Sequence, residues 1–310
     1  MKTSFSHIGI FAQQVLGRSK GARVSGIASR GIYLQPADDW TLYISQEKFR
    51  GPLTLNLEEP SVLKSIKAGN SVQFNSGAIT FPDEKISISL DGCKIWNSPL
   101  AEYNYGYFPQ RLDKALSLAK KTASENPYLP LLFENPSKIP GAAVIGERIQ
   151  NLQNALKTGV PEKVAEGSVK LLGLGPGLTP LGDDFLLGVL LTFNRWGHVL
   201  IPTLPDIKKS GTPAQSVVGR SNQPNKLVND LNRIILENTG LKTTQISASL
   251  LTCAVEGAAD ERLLKVLDGF FSGVDLTQND IKNILRWGSS SGIAVLAGMI
   301  SVLRTKDTVS

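Results

Sequence analysis

The chain has 310 residues, of which 41% are hydrophobic and 19% charged, with a formal net charge of +6. This balance excludes a disordered chain and leaves room for two domains of ordinary size. Its two cysteines, Cys93 and Cys253, lie far apart, which excludes a disulfide framework, and its two histidines, His7 and His198, exclude a Cys/His metal site.

The Lys and Arg residues are scattered, with no dense run and no interleaved aromatics. That pattern points away from nucleic acid and toward a small anionic substrate. No apolar run reaches the roughly 18 to 20 residues that span a bilayer. The apolar patch near the N-terminus is interrupted by Gln13 and Gln14 and lacks a small-residue cleavage site, so it reads as part of the fold. The expectation is a cytoplasmic protein with no membrane segment.

The first hundred residues read as strands. "GIYLQP" and "WTLYIS" flank Ala37-Asp38-Asp39, a turn composition, and "LTLNL" at 53–57 alternates. "SVQFNSGAITF" holds Asn75-Ser76-Gly77 between two apolar runs. "KISISLDGCKIW" carries Asp91-Gly92, which predicts a type I′ hairpin. Many short strands with close turns predict a small barrel or sandwich.

After Trp96 the pattern changes. "PQRLDKALSLAKKTASE" predicts a helix with Leu112, Leu116 and Ala119 on one face, followed by a Pro-rich connector over 127–140. Ile149, Leu152 and Leu156 stripe the next helix, with Gly159 as its stop and Pro161 opening another. Phe185, Leu186, Val189, Leu190 and Phe193 recur at helical spacing. Residues 203–225 read as a long loop, and 226–304 as successive helices, one of them capped by Asp260. The predicted fold class is α+β: a β-rich domain over 1–100, then a mainly helical domain over 101–310.

The chemistry concentrates in "LLGLGPGLTPLGDDFLLGVLL", residues 171–191. Gly173, Gly175 and Gly177 would let successive N–H groups converge on an anion, and a helix starting near Asp183 would add its dipole. Gly182, Asp183 and Asp184 follow. Two carboxylates repel an anion, so a hard cation such as Mg²⁺ held by Asp183 and Asp184, or a substrate amide N–H, would resolve the conflict. A helix cap with glycines for close packing explains the same spacing equally well. The pattern is neither the Walker nor the Rossmann one.

"RWGSSSGIAVLAG", 286–298, is the second candidate. Ser289, Ser290 and Ser291 lie between Gly288 and Gly292 before an apolar helix, a place for phosphate or carboxylate. A serine N-cap behind a glycine stop is the commoner case. Arg148 would reach an oxyanion bidentately, though an exposed helical arginine is more usual. Ser247, Ser249, Glu256 and Glu261 mark a third segment, where Glu256 reads as an exposed end residue and Cys253 as core. "GSSSG" is not a nucleophile elbow.

"GLGPGLTPLGDDFLLG" resembles the signature Gly-x-Gly-Pro-Gly-x-Thr-Pro-x-Gly-Asp-Asp-Phe-Leu-x-Gly of the AllH-type oxamate carbamoyltransferase subunits, a family first catalogued as a domain of unknown function. "ISASLLTCAVEGAADERLLKVL" and "WGSSSGIAVLAGM" are similar to its later blocks, in order. The resemblance implies carbamoyl transfer between oxalurate and phosphate in anaerobic allantoin breakdown, within a hetero-oligomeric enzyme. It implies Gly175 and Gly177 for anion binding, Thr179 for a hydroxyl contact, and Asp183 and Asp184 for a metal or the carbamoyl N–H. The family's last block often reads Gly-His-Thr/Ser-Ser-Gly with an acid two residues on; here Ser289 stands for the histidine and Ala294 for the acid. Two other functions fit the residues: a Mg²⁺-dependent phosphotransferase or synthetase using Asp183 and Asp184, and a non-catalytic structural subunit.

Overall fold

The computed structural model describes residues 3–38, 40–100, 106–133, 135–139, 143–200, 226–272 and 274–305. The loop expected over 203–225 falls outside them. Nine strands form the N-terminal part: β1 (Thr3–Gly9), β2 (Gly21–Ala28), β3 (Gly31–Pro36), β4 (Leu42–Ser45), β5 (Thr54–Leu57), β6 (Ser71–Asn75), β7 (Ala78–Phe81), β8 (Ile86–Ser89) and β9 (Lys94–Trp96). Their order is β5-β4-β3-β2-β6-β7-β8-β1, and β1 pairs back onto β5 to close an eight-stranded barrel. Closure leaves no long unpaired edge. Inward positions alternate with outward ones: Ile32 and Leu34 of β3 and Leu42 and Ile44 of β4 are buried with Phe5, Leu55 and Ile79. One helix, α1 (Ile10–Arg18), follows β1 and was not apparent in the strand-like reading of this region.

The hairpin expected at Asp91-Gly92 does not form. β8 and β9 instead lie end to end along one edge of β1, both parallel to it. A type I′ turn needs positive φ at both central residues. Gly92 has φ 74°, whereas Asp91 is not among the positive-φ residues.

The C-terminal part is helical: α2 (Pro109–Thr122), α3 (Ala143–Thr158), α4 (Pro161–Leu171), α5 (Leu181–Leu200), α6 (Lys226–Lys242), α7 (Gln245–Val255), α8 (Glu261–Gly269), α9 (Gln278–Leu285) and α10 (Ser291–Leu303). The expected stripes of α2 and α3 are buried. Gly159 has φ 65° after α3, Pro161 opens α4, and the Asp260 carboxylate caps α8 by accepting the Arg262 N–H at 2.9 Å. Helix α5 is buried on nearly every face, because it forms the centre of the bundle. It packs on α10 at unusually close range. A Cβ on Gly188 would sit 2.0 Å from the Val295 carbonyl, and one on Gly298 would sit 2.0 Å from the Phe185 carbonyl.

A buried ion pair fixes α5 to α8. Arg195 Nε donates to Asp268 Oδ1 at 2.6 Å, and Trp196 Nε1 donates to the same oxygen at 2.8 Å. The remaining Arg195 donors reach the carbonyls of Ser98, Pro99 and Gly257, so the charge is neutralised and its hydrogen bonds are met. Barrel and helices are joined directly. Cys253 and Ala258 enter the barrel's apolar cluster, and the Ser249 hydroxyl oxygen accepts the Thr41 N–H at 2.9 Å. Among the described residues no helix is long and apolar enough to cross a membrane.

Candidate functional site

The glycine segment bridges α4 and α5. Gly173, Gly175 and Gly177 have φ of 75°, 121° and 105°, the left-handed region that a side chain disfavours. At Gly173 space also forbids a side chain, since a Cβ would lie 1.7 Å from the Lys242 carbonyl. The loop therefore lies against the α6–α7 junction. There the Thr244 hydroxyl donates to the Leu178 carbonyl at 2.6 Å.

Asp183 and Asp184 stand in the first turn of α5 but do not cap it. Both of their N–H groups bond to the Pro180 carbonyl, and their side chains accept from outside the helix. Asp183 accepts the Gly173 N–H at 2.6 Å and the Thr243 hydroxyl, which ties the loop, α5 and the α6–α7 junction together. Burial raises its pKa, and these hydrogen bonds oppose the rise. Asp184 is 1% exposed. It accepts the Thr179 hydroxyl at 3.3 Å. Burial pushes its carboxyl up to about 8, against the pull of the Ser291 and Thr179 hydroxyls, with the Asp183 charge adding to the rise.

The two glycine-rich helix starts meet at this point. Thr179 Oγ1 lies 3.2 Å from Ser291 Oγ, in the first turn of α10. Both residues line a cavity of about 460 Å³ between the helices and the barrel. Its other wall is the outer face of β3 and β4, opposite the inward Ile32, Leu34, Leu42 and Ile44. Ser289 is exposed at the rim beside Arg286. Ser290 occupies the N-cap of α10, but its side chain makes no cap hydrogen bond, so the serine-cap explanation of this run is not realised. Gly288, with φ 69°, does turn the chain after α9.

Charge in the cavity is mostly paired. Arg262 is bound by Asp260 at 2.8 Å and Glu47 at 3.1 Å, and Arg30 by Glu47 at 2.8 Å. Arg286 forms no ion pair among the described residues, and it lines the same cavity as Thr179, Ser289 and Ser291. A cation, three hydroxyls and the start of α10 make an environment for an oxyanion.

Not every expected residue is in this place. Gly173, Gly175, Gly177 and Gly182 do not line the cavity. The N–H of Gly173 goes to Asp183 and that of Gly182 to the Leu174 carbonyl. Arg148 lies on α3, away from the lining. Glu256 is exposed at the end of α7, Glu261 pairs with Arg50, and Cys253 is core, its thiol pKa raised by burial. Ala294, where the resemblance places an acid, is wholly buried in α10.

A Mg²⁺ ion fits these residues poorly. Both oxygens of Asp183 face protein donors, and neither carboxylate lines the cavity. Among the described residues no group of three His, Cys, Asp or Glu side chains is placed to hold a metal.

The sequence reading did not single out Arg286, Tyr33, Tyr43 and the Glu47–Arg262 pair. Arg286 carried a usable signal, a cation directly before a serine-rich helix start. The barrel residues carried none, since they meet that turn only through the fold.

No curated protein and no solved structure matches the chain. A family model described as oxamate carbamoyltransferase subunit AllH matches residues 171–303, from the glycine segment to the end of α10. That segment holds Thr179, Asp183, Asp184, Arg286 and Ser291, and over it the chain is similar to the oxamate carbamoyltransferase subunits of the AllH family.

Proposed function

We propose that this chain is a subunit of a carbamoyltransferase of allantoin and purine breakdown, and that its ligands bind in the cavity between barrel and helices. The observation that carries this reading is the convergence of Thr179 and Ser291 on one cavity wall, with Asp184 behind them and Arg286 beside them. Carbamoyl phosphate, phosphate, oxalurate and oxamate are all small anions, in keeping with a cavity in which Arg286 has no ion-pair partner among the described residues.

In the reaction an oxygen of hydrogen phosphate attacks the ureido carbonyl of oxalurate. The bond from that carbon to the oxamate nitrogen breaks, and the nitrogen takes the proton that hydrogen phosphate loses. Charge develops on the carbonyl oxygen during attack, and hydroxyl donors fixed in advance would stabilise it. Thr179 and Ser291 are held in place by each other and by Asp184, and a protonated Asp184 that donates its own O–H to one of them leaves that hydroxyl's proton for the ligand. Protonated at neutral pH, Asp184 keeps a second negative charge away from the anions while still orienting both hydroxyls.

A binding subunit completed by its partners is the second reading, favoured by Ser289 and Ala294 standing where the family's block often has histidine and an acid. Co-purification with partner subunits, followed by assay of carbamoyl phosphate formation from oxalurate and phosphate, tests both. Thr179→Val and Ser291→Ala are each expected to lower kcat/KM about 10-fold or more. Unchanged rates in both variants would contradict a ligand role for the cavity. A rate seen only with partners present would favour the second reading.

A further inference from the structure

Resting on the reading of the cavity as a ligand site, we propose that the barrel supplies its selective half. Tyr33 and Tyr43 hold the planar amide portion of a two-ended anion whose oxyanion end lies at Arg286 and Ser291. Neither tyrosine falls within residues 171–303, the span of the family match.

Four observations carry this. Tyr33 and Tyr43 are cross-strand partners on β3 and β4, with ring centroids 4.8 Å apart, and both line the cavity. They form one aromatic wall, because paired residues on neighbouring strands project to the same face. Both are half-buried, yet neither hydroxyl has a hydrogen-bond partner among the described residues. Neither hydroxyl is a buried atom, so both are open to the cavity and within reach of a ligand's N–H or C=O groups.

Third, the cavity's charge is asymmetric. Glu47, a carboxylate of the cavity lining on the barrel side, is engaged by Arg30 and Arg262, and Arg286, which forms no ion pair among the described residues, is on the helical side. The barrel side therefore offers ring faces and neutral hydroxyls, which suit a planar group carrying both N–H and C=O. Fourth, about 460 Å³ falls within the range of pockets for whole small-molecule ligands, well beyond one tetrahedral oxyanion.

The experiment is titration calorimetry of the full chain with three probes: inorganic phosphate, oxamate and oxalurate. Tyr33→Phe and Tyr43→Phe keep the rings and the wall but remove the hydroxyls, so folding is expected to survive, and melting curves check it. Each is expected to weaken oxamate and oxalurate roughly 3- to 10-fold while leaving phosphate within about 2-fold. Arg286→Ala is expected to weaken all three.

If the Phe variants bind oxamate and oxalurate as well as the parent does, or lose phosphate in equal measure, the assignment of the barrel wall is overturned. The ligand site at Arg286 would then still stand. If the parent chain binds none of the three, both fall together.

Discussion

Asp183 and Asp184 are adjacent in the sequence but act differently. Asp183 is a tie, holding the glycine loop and the α6–α7 junction against the first turn of α5. Asp184 is a buried acid behind two cavity hydroxyls. Its folded pKa of about 8 stands above the ordinary 3.8. Between those two values the native carboxyl holds a proton that the unfolded chain has lost. Stability therefore falls as pH rises through that window, and Asp183, also shifted upward, adds to the slope. Asp184→Asn, which cannot ionise, is expected to flatten most of this slope and to be the more stable protein at pH 8. Urea unfolding from pH 4 to pH 8 measures it; the same slope in both proteins would show that Asp184 is ionised throughout.

At the level of elements, close helix packing is one task of the glycines. Gly188 and Gly298 let α5 and α10 approach until backbone meets backbone. Gly188→Ala is expected to destabilise by about 1–3 kcal/mol in chemical denaturation, because the new methyl has no flexible neighbour to displace. A loss below about 0.5 kcal/mol would mean that the helices separate readily. Asp268→Ala leaves Arg195 buried without its carboxylate and is expected to cost about 3–5 kcal/mol. A loss of 1 kcal/mol or less in the same measurement would show that the Ser98, Pro99 and Gly257 carbonyls suffice.

Elements with strong local signals were legible in the sequence: the α2 and α3 stripes, the Asp260 cap and the β6–β7 hairpin all stand where periodicity and turn residues put them. The Asp91-Gly92 turn misled, because local turn chemistry was overridden by pairing with β1, some 85 residues earlier in the chain.

In the whole molecule, the candidate site belongs to a seam. Barrel closure joins β1 to β5, and the cavity joins β3 and β4 to turns nearly 250 residues further on. Such meetings leave no periodicity in a single sequence. Thr179 and Ser291 were therefore legible as two separate helix starts, but their 3.2 Å approach was not. The alternation of β3 and β4 shows that Tyr33 and Tyr43 point away from the barrel core. It does not show that helices cover that face. The barrel thus lines one side of a cavity whose recognisable motif lies entirely in the helical part.

The central claim is that this seam binds a small oxyanion through Arg286. Titration calorimetry of carbamoyl phosphate into the full chain and into Arg286→Ala tests it most directly. Saturable 1:1 binding is predicted for the parent chain, with a loss of about 1.5–3 kcal/mol in the variant, roughly 10- to 100-fold in Kd, and an unchanged melting temperature without ligand. No binding to the parent chain, or equal binding to both, would contradict it.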